Sequence, residues 1–190
     1  FKDRLPDRLI RGYALLLAST PAFWIGLLLL MIFAVWLGWL PFGMNLPAGM
    51  TAAEAGIGVR IRHLLLPALT LGLTGVANIT LHTREKMIAI MESDYVLFAR
   101  ARGESSGYIV KRHALRNLVL PAITLQFGSI SEIFGGSVLV EQVFSYPGLG
   151  QAAIDAGLGS DVSLLLAITV ISTLFVFLGN LLANVLYGVI

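Results

Sequence analysis

The sequence contains no cysteine, and only 13% of its 190 residues are charged. The missing cysteine excludes a disulfide framework and thiolate metal sites, although it names no compartment. Soluble domains average about 25% charged residues. A chain with 57% apolar residues and a mean hydropathy of +0.85 is therefore expected to be a membrane protein. The formal net charge of +2 is too small to suggest nucleic-acid binding. No HExxH or GxSxG pattern, cysteine nucleophile or convincing acid–base pair occurs, which argues against an enzyme. The glycine-rich phosphate loop is also missing, since Lys2, Lys86 and Lys111 all lack a preceding glycine. His63, His82 and His113 show no metal spacing, so structural roles are expected for all three. The chain opens on Phe1 and stops inside an apolar run at Ile190, which reads as a piece of a longer protein.

What the sequence has in quantity is long apolar runs. A helix needs about 20 apolar residues to cross roughly 30 Å of hydrocarbon. Spans are expected at about 13–40, 64–83, 117–140 and 162–188. Tyr13 marks one interface of the first and Trp36 with Trp39 the other, as aromatic belts do. Pro21 is expected to kink that helix or start its regular part, and Pro67 to sit in the first turn of the second. Pro41, Gly43, Pro47 and Gly49 mark residues 41–62 as an irregular loop. If the spans alternate, residues 1–12 and 84–116 share one side of the membrane. Those two segments hold eleven of the 13 basic residues, which makes them cytoplasmic by the positive-inside rule.

The charged segment DYVLFARARGESSGYIVKRHALRNLVLP, residues 94–121, carries the most local information. Asp94 can cap a short helix running to about Arg102, with Arg100 and Arg102 in its last turn and Gly103 as a left-handed stop. Ser105 or Ser106 can cap a second short helix, to which Tyr108, Ile109 and Val110 give an apolar face. One reading is a basic loop whose arginines hold lipid headgroups; the other is a docking surface, for which defined stops and an exposed apolar cluster have a use. Within the third span Gln126, Ser129 and Glu132 recur every three residues and share one helix face. They form a candidate polar stripe along a translocation path, or an interhelical hydrogen-bonding set with Glu132 protonated. Gly128, Gly135 and Gly136 suit close helix contact. Asn180 and Asn184, at i and i+4, are expected to glue helices together. Between the third and fourth spans, Pro147-Gly148 signals a turn. Glu141, Phe144, Pro147 and Gly148 are candidates for an outer gate, with a plain structural turn as the alternative.

Four blocks in order resemble one family. They are Ser19-Thr20-Pro21-Ala22-Phe23-Trp24, Leu66-Pro67-Ala68-Leu69-Thr70-Leu71, the charged segment, and Val140-Glu141-Gln142-Val143-Phe144 followed by Pro147-Gly148-Leu149-Gly150. Within the charged segment the carrying residues are Asp94-Tyr95-Val96, Ala99 to Gly103, Arg112 to Asn117, and Leu120-Pro121. The chain resembles the transmembrane permeases of bacterial ABC importers, in the dipeptide, oligopeptide and nickel branch. The charged segment is similar to their cytoplasmic signature loop. It departs from that pattern at Leu97, where the name-giving glutamate aligns, and at Phe98, where a polar or basic residue is expected.

The resemblance implies an all-α polytopic bundle of the type I importer kind, with four spans here of a six-span subunit in the bacterial cytoplasmic (inner) membrane. Loop 84–116 would contain a coupling helix seated in a groove of a cytoplasmic ATPase. Gly103, Glu104, Ser105, Ser106, Tyr108 and Ile109 are the docking candidates, and Arg100, Arg102, Arg112 and Arg116 would position the loop at the headgroups. Implied partners are a second homologous permease, two ATPases carrying ATP and Mg, an extracytoplasmic substrate-binding protein, and lipid. This chain would bind no cofactor of its own. Cargo would be di- or oligopeptides, with nickel or glutathione as related solutes; an ion-coupled secondary transporter or a channel is the alternative.

Overall fold

The computed structural model describes residues 2–189, apart from the side chains at 116, 120, 130–136, 187 and 189. Every regular element among them is helical. Helices α1 (Leu5–Ala18) and α2 (Ala22–Leu29) come first, the latter running into a π-helical turn, Leu30–Trp36. Then follow α3 (Ile57–Met91), α4 (Asp94–Ala101) and α5 (Ser106–Ile109). A second π-helical turn, Val110–Ala114, joins α5 to α6 (Leu115–Val143). Last come α7 (Leu149–Leu158) and α8 (Val162–Val189). α3 and α6 pack together at the centre, α1 and α2 lie on α3, and α7 and α8 lie on α6.

The expected first span, 13–40, is not one helix. α1 and α2 meet at a bend of 103°. The cause is local: a residue before proline avoids the α region, and Pro21 has no N–H for the ladder. The chain therefore leaves the helix at Ser19, and the Pro21 carbonyl restarts it by accepting from the amides of Trp24 and Ile25. The helical part then ends at Trp36, short of residue 40. The second expected span also has different bounds. α3 runs for 35 residues from Ile57 to Met91 and spans about 52 Å, so Pro67 lies well inside it and residues 84–91 belong to it. Among the described residues, α3 and α8 are long and apolar enough to cross a membrane, and α1 with α2 qualifies as a broken pair.

Two ends of the bundle are secured differently. At the charged end α1 runs back along α3. Arg84 donates to Asp7 through Nε (2.7 Å) and a terminal nitrogen (2.6 Å), and Lys2 pairs with Glu92. The Arg84 hydrogen bonds hold the Asp7 carboxyl well below the usual carboxylate range. Further along, Leu17, Ile25 and Ala77 form a small core. At the opposite end Ala34, Leu66, Val140 and Phe144 make another. Gly26 allows α2 to approach there, since a Cβ at that position would sit 3.2 Å from the Phe144 ring and 3.4 Å from Thr70. Residues 41–44 cross over this core: the Met44 amide donates to the Phe144 carbonyl (2.7 Å), and His63 Nδ1 lies 2.9 Å from the Gly43 carbonyl. A carbonyl only accepts, so His63 carries its proton on Nδ1.

Candidate functional site

The segment between α3 and α6 folds into a self-supporting knuckle. Ser93 is the N-cap residue of α4, while its hydroxyl turns back to the Ile90 carbonyl. Asp94 occupies the first turn rather than the cap itself, where its charge suits the helix N-terminus. At the other end Gly103 adopts φ +84, the left-handed conformation a glycine accepts without a Cβ penalty. Its amide bonds the Arg100 carbonyl (2.9 Å) and the Glu104 amide bonds that of Ala99 (3.1 Å), which is the paired closure of a Schellman stop. Ser105 then caps α5, its hydroxyl accepting from the Tyr108 amide at 3.4 Å.

Packing decides which side chains of the knuckle are available. Val96 and Ala99 from α4 close on Ile109 from α5, with Met91 beneath them. Ile109, one of the docking candidates, is 0% exposed and supports the knuckle from inside. On the outer side Leu97 is 53% exposed, Phe98 71% and Tyr108 54%. Leu97 and Phe98, the two departures from the signature pattern, are thus among the apolar groups this loop presents. Glu104 is not a free contact either. It accepts from Arg102 (2.7 Å) and lies 3.1 Å from His113 Nε2, stitching the glycine stop to the π-helical turn. The Tyr108 ring meets the His113 ring edge-on at 6.4 Å. Asn117 donates to the Tyr95 hydroxyl (3.2 Å) and ties α4 to α6. Sequence spacing alone could not reveal either cross-link, because each joins residues nine or more positions apart on different elements. Gly103, Ser105, Ser106, Arg100 and Arg112 lie on the exposed surface, and the Arg116 side chain lies outside the described residues.

Helix α6 carries this assembly into the bundle. From Ser106 to Val143 the chain is helical throughout, interrupted in its regular ladder by the π-helical turn Val110–Ala114 and by Pro121, which has no N–H to give. Such turns replace the regular i→i−4 ladder locally and recur where helices must yield. Further along, Gln126 and Ser129 line a cleft of about 460 Å³ between α6 and α3. Its other wall includes Gly72, Thr74, Gly75 and Asn78, residues the sequence reading passed over. The signal was present as two glycines and an asparagine inside an apolar run. A Cβ at Gly72 or Gly75 would meet nothing within 4 Å, so these glycines leave the wall open. Glu132, Ser131, Gly135 and Gly136 lie outside the described side chains, and the expected stripe is traced only through Gln126 and Ser129. Among the described residues no group of three acidic or histidine side chains is placed to hold a metal ion.

The four residues proposed for an outer gate form a bracket. The Glu141 carboxylate accepts from the Ser137 hydroxyl (3.0 Å) and from the Gln151 amide (2.7 Å), capping the start of α7 across the turn. Phe144 is buried in the far-end core and faces no opening. Gly148 lies so close that a Cβ there would fall 2.2 Å from the Glu141 carboxyl carbon. Replacing Gly148 with alanine should therefore push Glu141 off both donors and cost about 1–3 kcal/mol. The check is a thermal unfolding midpoint, which should fall for Gly148→Ala and stay within a degree or two for Gly157→Ala, where a Cβ meets open space.

The architecture is that of an all-helical membrane component whose charged knuckle feeds directly into a cleft-lining helix. Comparison with known proteins makes the class specific. The family of binding-protein-dependent transport system inner membrane components matches residues 1–190, and the chain belongs to it. It is 41% identical over 172 residues to the oligopeptide transport system permease protein AppB of Bacillus subtilis (strain 168), covering 90% of this chain and 54% of that protein. It is 35% identical over 190 residues to the glutathione transport system permease protein GsiC of Escherichia coli (strain K12), covering 100% of this chain and 58% of that one. The chain thus spans somewhat more than half the length of these relatives. Both relatives are named as permease proteins of transport systems.

Proposed function

We propose that this chain is the transmembrane permease subunit of an ATP-driven importer, moving di- or oligopeptides across the bacterial cytoplasmic membrane. It works with a second homologous permease, two cytoplasmic ATPases that bind ATP and Mg, and an extracytoplasmic binding protein that delivers substrate. The knuckle within loop 84–116 faces the cytoplasm and docks on an ATPase through Leu97, Phe98 and Tyr108. The observation that carries this reading is the division of labour in α4: Val96 and Ala99 are buried within the knuckle, while Leu97 and Phe98 stay exposed at its outer side. An apolar pair left uncovered on a rigid element is suited to a partner's groove.

Coupling then follows from rigidity. Closure of the ATPase pair moves the knuckle, and the Glu104–His113 link passes the movement to the helix that ends at Val143. That helix lines the cleft through Gln126 and Ser129, so the push reaches the substrate path. The two arrangements interconvert only as far as the nucleotide states differ in their affinity for each.

The test is uptake by cells carrying the complete transporter, supplied with labelled dipeptide, oligopeptide, glutathione or nickel. Peptide uptake that requires ATP is the expected result. Inserting two residues between Gly103 and Tyr108 breaks the register of the Ser105 cap and the Glu104 link. That variant should hydrolyse ATP without transport and insert normally; undiminished uptake would count against the docking role. Uptake driven by an ion gradient, with no ATPase retained on purification, would instead make the chain part of a secondary carrier.

A further inference from the structure

Beside the knuckle, two adjoining clefts share Tyr95 and Asn117 as a common wall. One, of about 680 Å³, is lined also by Lys111, Arg112 and His113. The other, of about 460 Å³, is bordered by Lys86, Ile90 and Pro121. Lys86, Lys111 and Arg112 have no acidic partner among the described residues, unlike Lys2, Arg84 and Arg102. Glu104, which reaches this wall through His113, is already engaged by Arg102 and His113, and the acids on adjoining turns, Glu85, Glu92 and Asp94, line neither cleft. Tyr95 accepts a hydrogen bond from Asn117, which leaves its own hydroxyl proton to donate outward. The larger cleft falls within the size range of small-ligand sites.

We propose that these joined clefts hold the phosphate of an anionic glycerophospholipid, with Lys86, Lys111 and Arg112 supplying charge and the Tyr95 hydroxyl a hydrogen bond. Lipid is favoured over a soluble anion by position. Lys86 follows the apolar stretch of α3, and Pro121 opens that of α6, so the site lies where headgroups meet hydrocarbon. The apolar shoulder of Ile90 and Pro121 offers an acyl chain its first contact. The inference rests on the membrane orientation proposed above, but not on the substrate or on ATP coupling. A lipid seated here braces the Tyr95–Asn117 tie between α4 and α6 and so stiffens the base of the knuckle.

The test uses the purified, delipidated transporter complex, with native mass spectrometry to count retained phosphatidylglycerol. Each cation near an anionic surface contributes about fivefold. The triple variant Lys86→Gln, Lys111→Gln, Arg112→Gln should thus lose binding on the order of 100-fold. Lys111→Gln alone should lose roughly fivefold, which keeps a readout should the triple variant fail to assemble. Arg8→Gln, a basic change on α1 at a residue that lines neither cleft, should bind as the parent does. Phosphatidylcholine should be retained weakly, and millimolar inorganic phosphate should not displace phosphatidylglycerol. Equal retention of phosphatidylglycerol by the parent and the cleft variants would overturn the proposal. So would displacement by inorganic phosphate, which would indicate a free-anion site. Loss of bound ATPase with lipid binding unchanged would assign the cations to a protein contact and equally overturn it.

Discussion

A permease carrying Leu97→Asp together with Phe98→Asp should insert and fold normally yet lose bound ATPase and at least tenfold of its ATP-driven uptake. Both side chains are more than half exposed, so neither contributes much to the knuckle's own packing. The buried side of α4, Val96 and Ala99 against Ile109, is left intact. In a docked complex two carboxylates would fall where apolar groups meet a partner's groove, and an unpaired buried charge costs several kcal/mol. Each 1.4 kcal/mol is tenfold in affinity, so a modest fraction of that penalty suffices. Ile109→Asp makes the opposite case. It places a charge inside the knuckle and should destabilise the fold itself, with a lowered unfolding midpoint before any effect on coupling. Co-purification of the ATPase and thermal unfolding, measured on both variants, separate the outer face from the inner one. Full ATPase retention by the double variant would remove Leu97 and Phe98 from the interface.

The second large effect is expected at the far end of the bundle. Gly43→Ala should lower stability by about 3 kcal/mol, seen as a fall of roughly 6–12 °C in the unfolding midpoint. Gly43 has φ +153, and a Cβ there would lie 2.0 Å from the Phe144 carbonyl oxygen. Backbone cannot give way as a flexible side-chain tip does, so residues 41–44 must lift. Lifting breaks the bond from the Met44 amide to the same carbonyl and the bond between His63 and the Gly43 carbonyl. It also uncovers Phe144, the largest fully buried side chain among the described residues. His63→Ala removes only one of these bonds and should cost less, about 1 kcal/mol. The knuckle at the other end is untouched, so ATPase retention by Gly43→Ala should persist. A midpoint unchanged from the parent would mean that this crossing does not secure the fold.

Much of the knuckle was legible from residue chemistry. A glycine after a short helix with basic residues in its last turn means a left-handed stop, and Gly103 is one. A serine two residues on means a cap, and Ser105 is one. The uncharged run that starts at Val162 coincides with α8. Other features depend on what the helix packs against. The apolar and charged parts of α3 form one helix because nothing in Leu81 to Met91 breaks it; a change of polarity is not a helix stop. Ile109 and Tyr108 are adjacent in sequence and equally apolar in pattern, yet the closeness of α4 buries one and leaves the other out. Glu141 and Phe144 are gate candidates in the sequence because they stand near a turn. Their partners, Gln151 and the Gly43 loop, come from segments whose approach no local pattern announces.

The central claim is that the outer face of α4 meets an ATPase in the cytoplasm, and the cysteine-free sequence offers a direct test of it. Phe98→Cys introduces the single thiol of this chain at the most exposed apolar position of the knuckle. A membrane-impermeant maleimide should label it in inside-out vesicles, fail to label it in right-side-out vesicles, and be blocked when the ATPase subunits are bound. Labelling from the outer face of the membrane, or labelling indifferent to bound ATPase, would contradict the account.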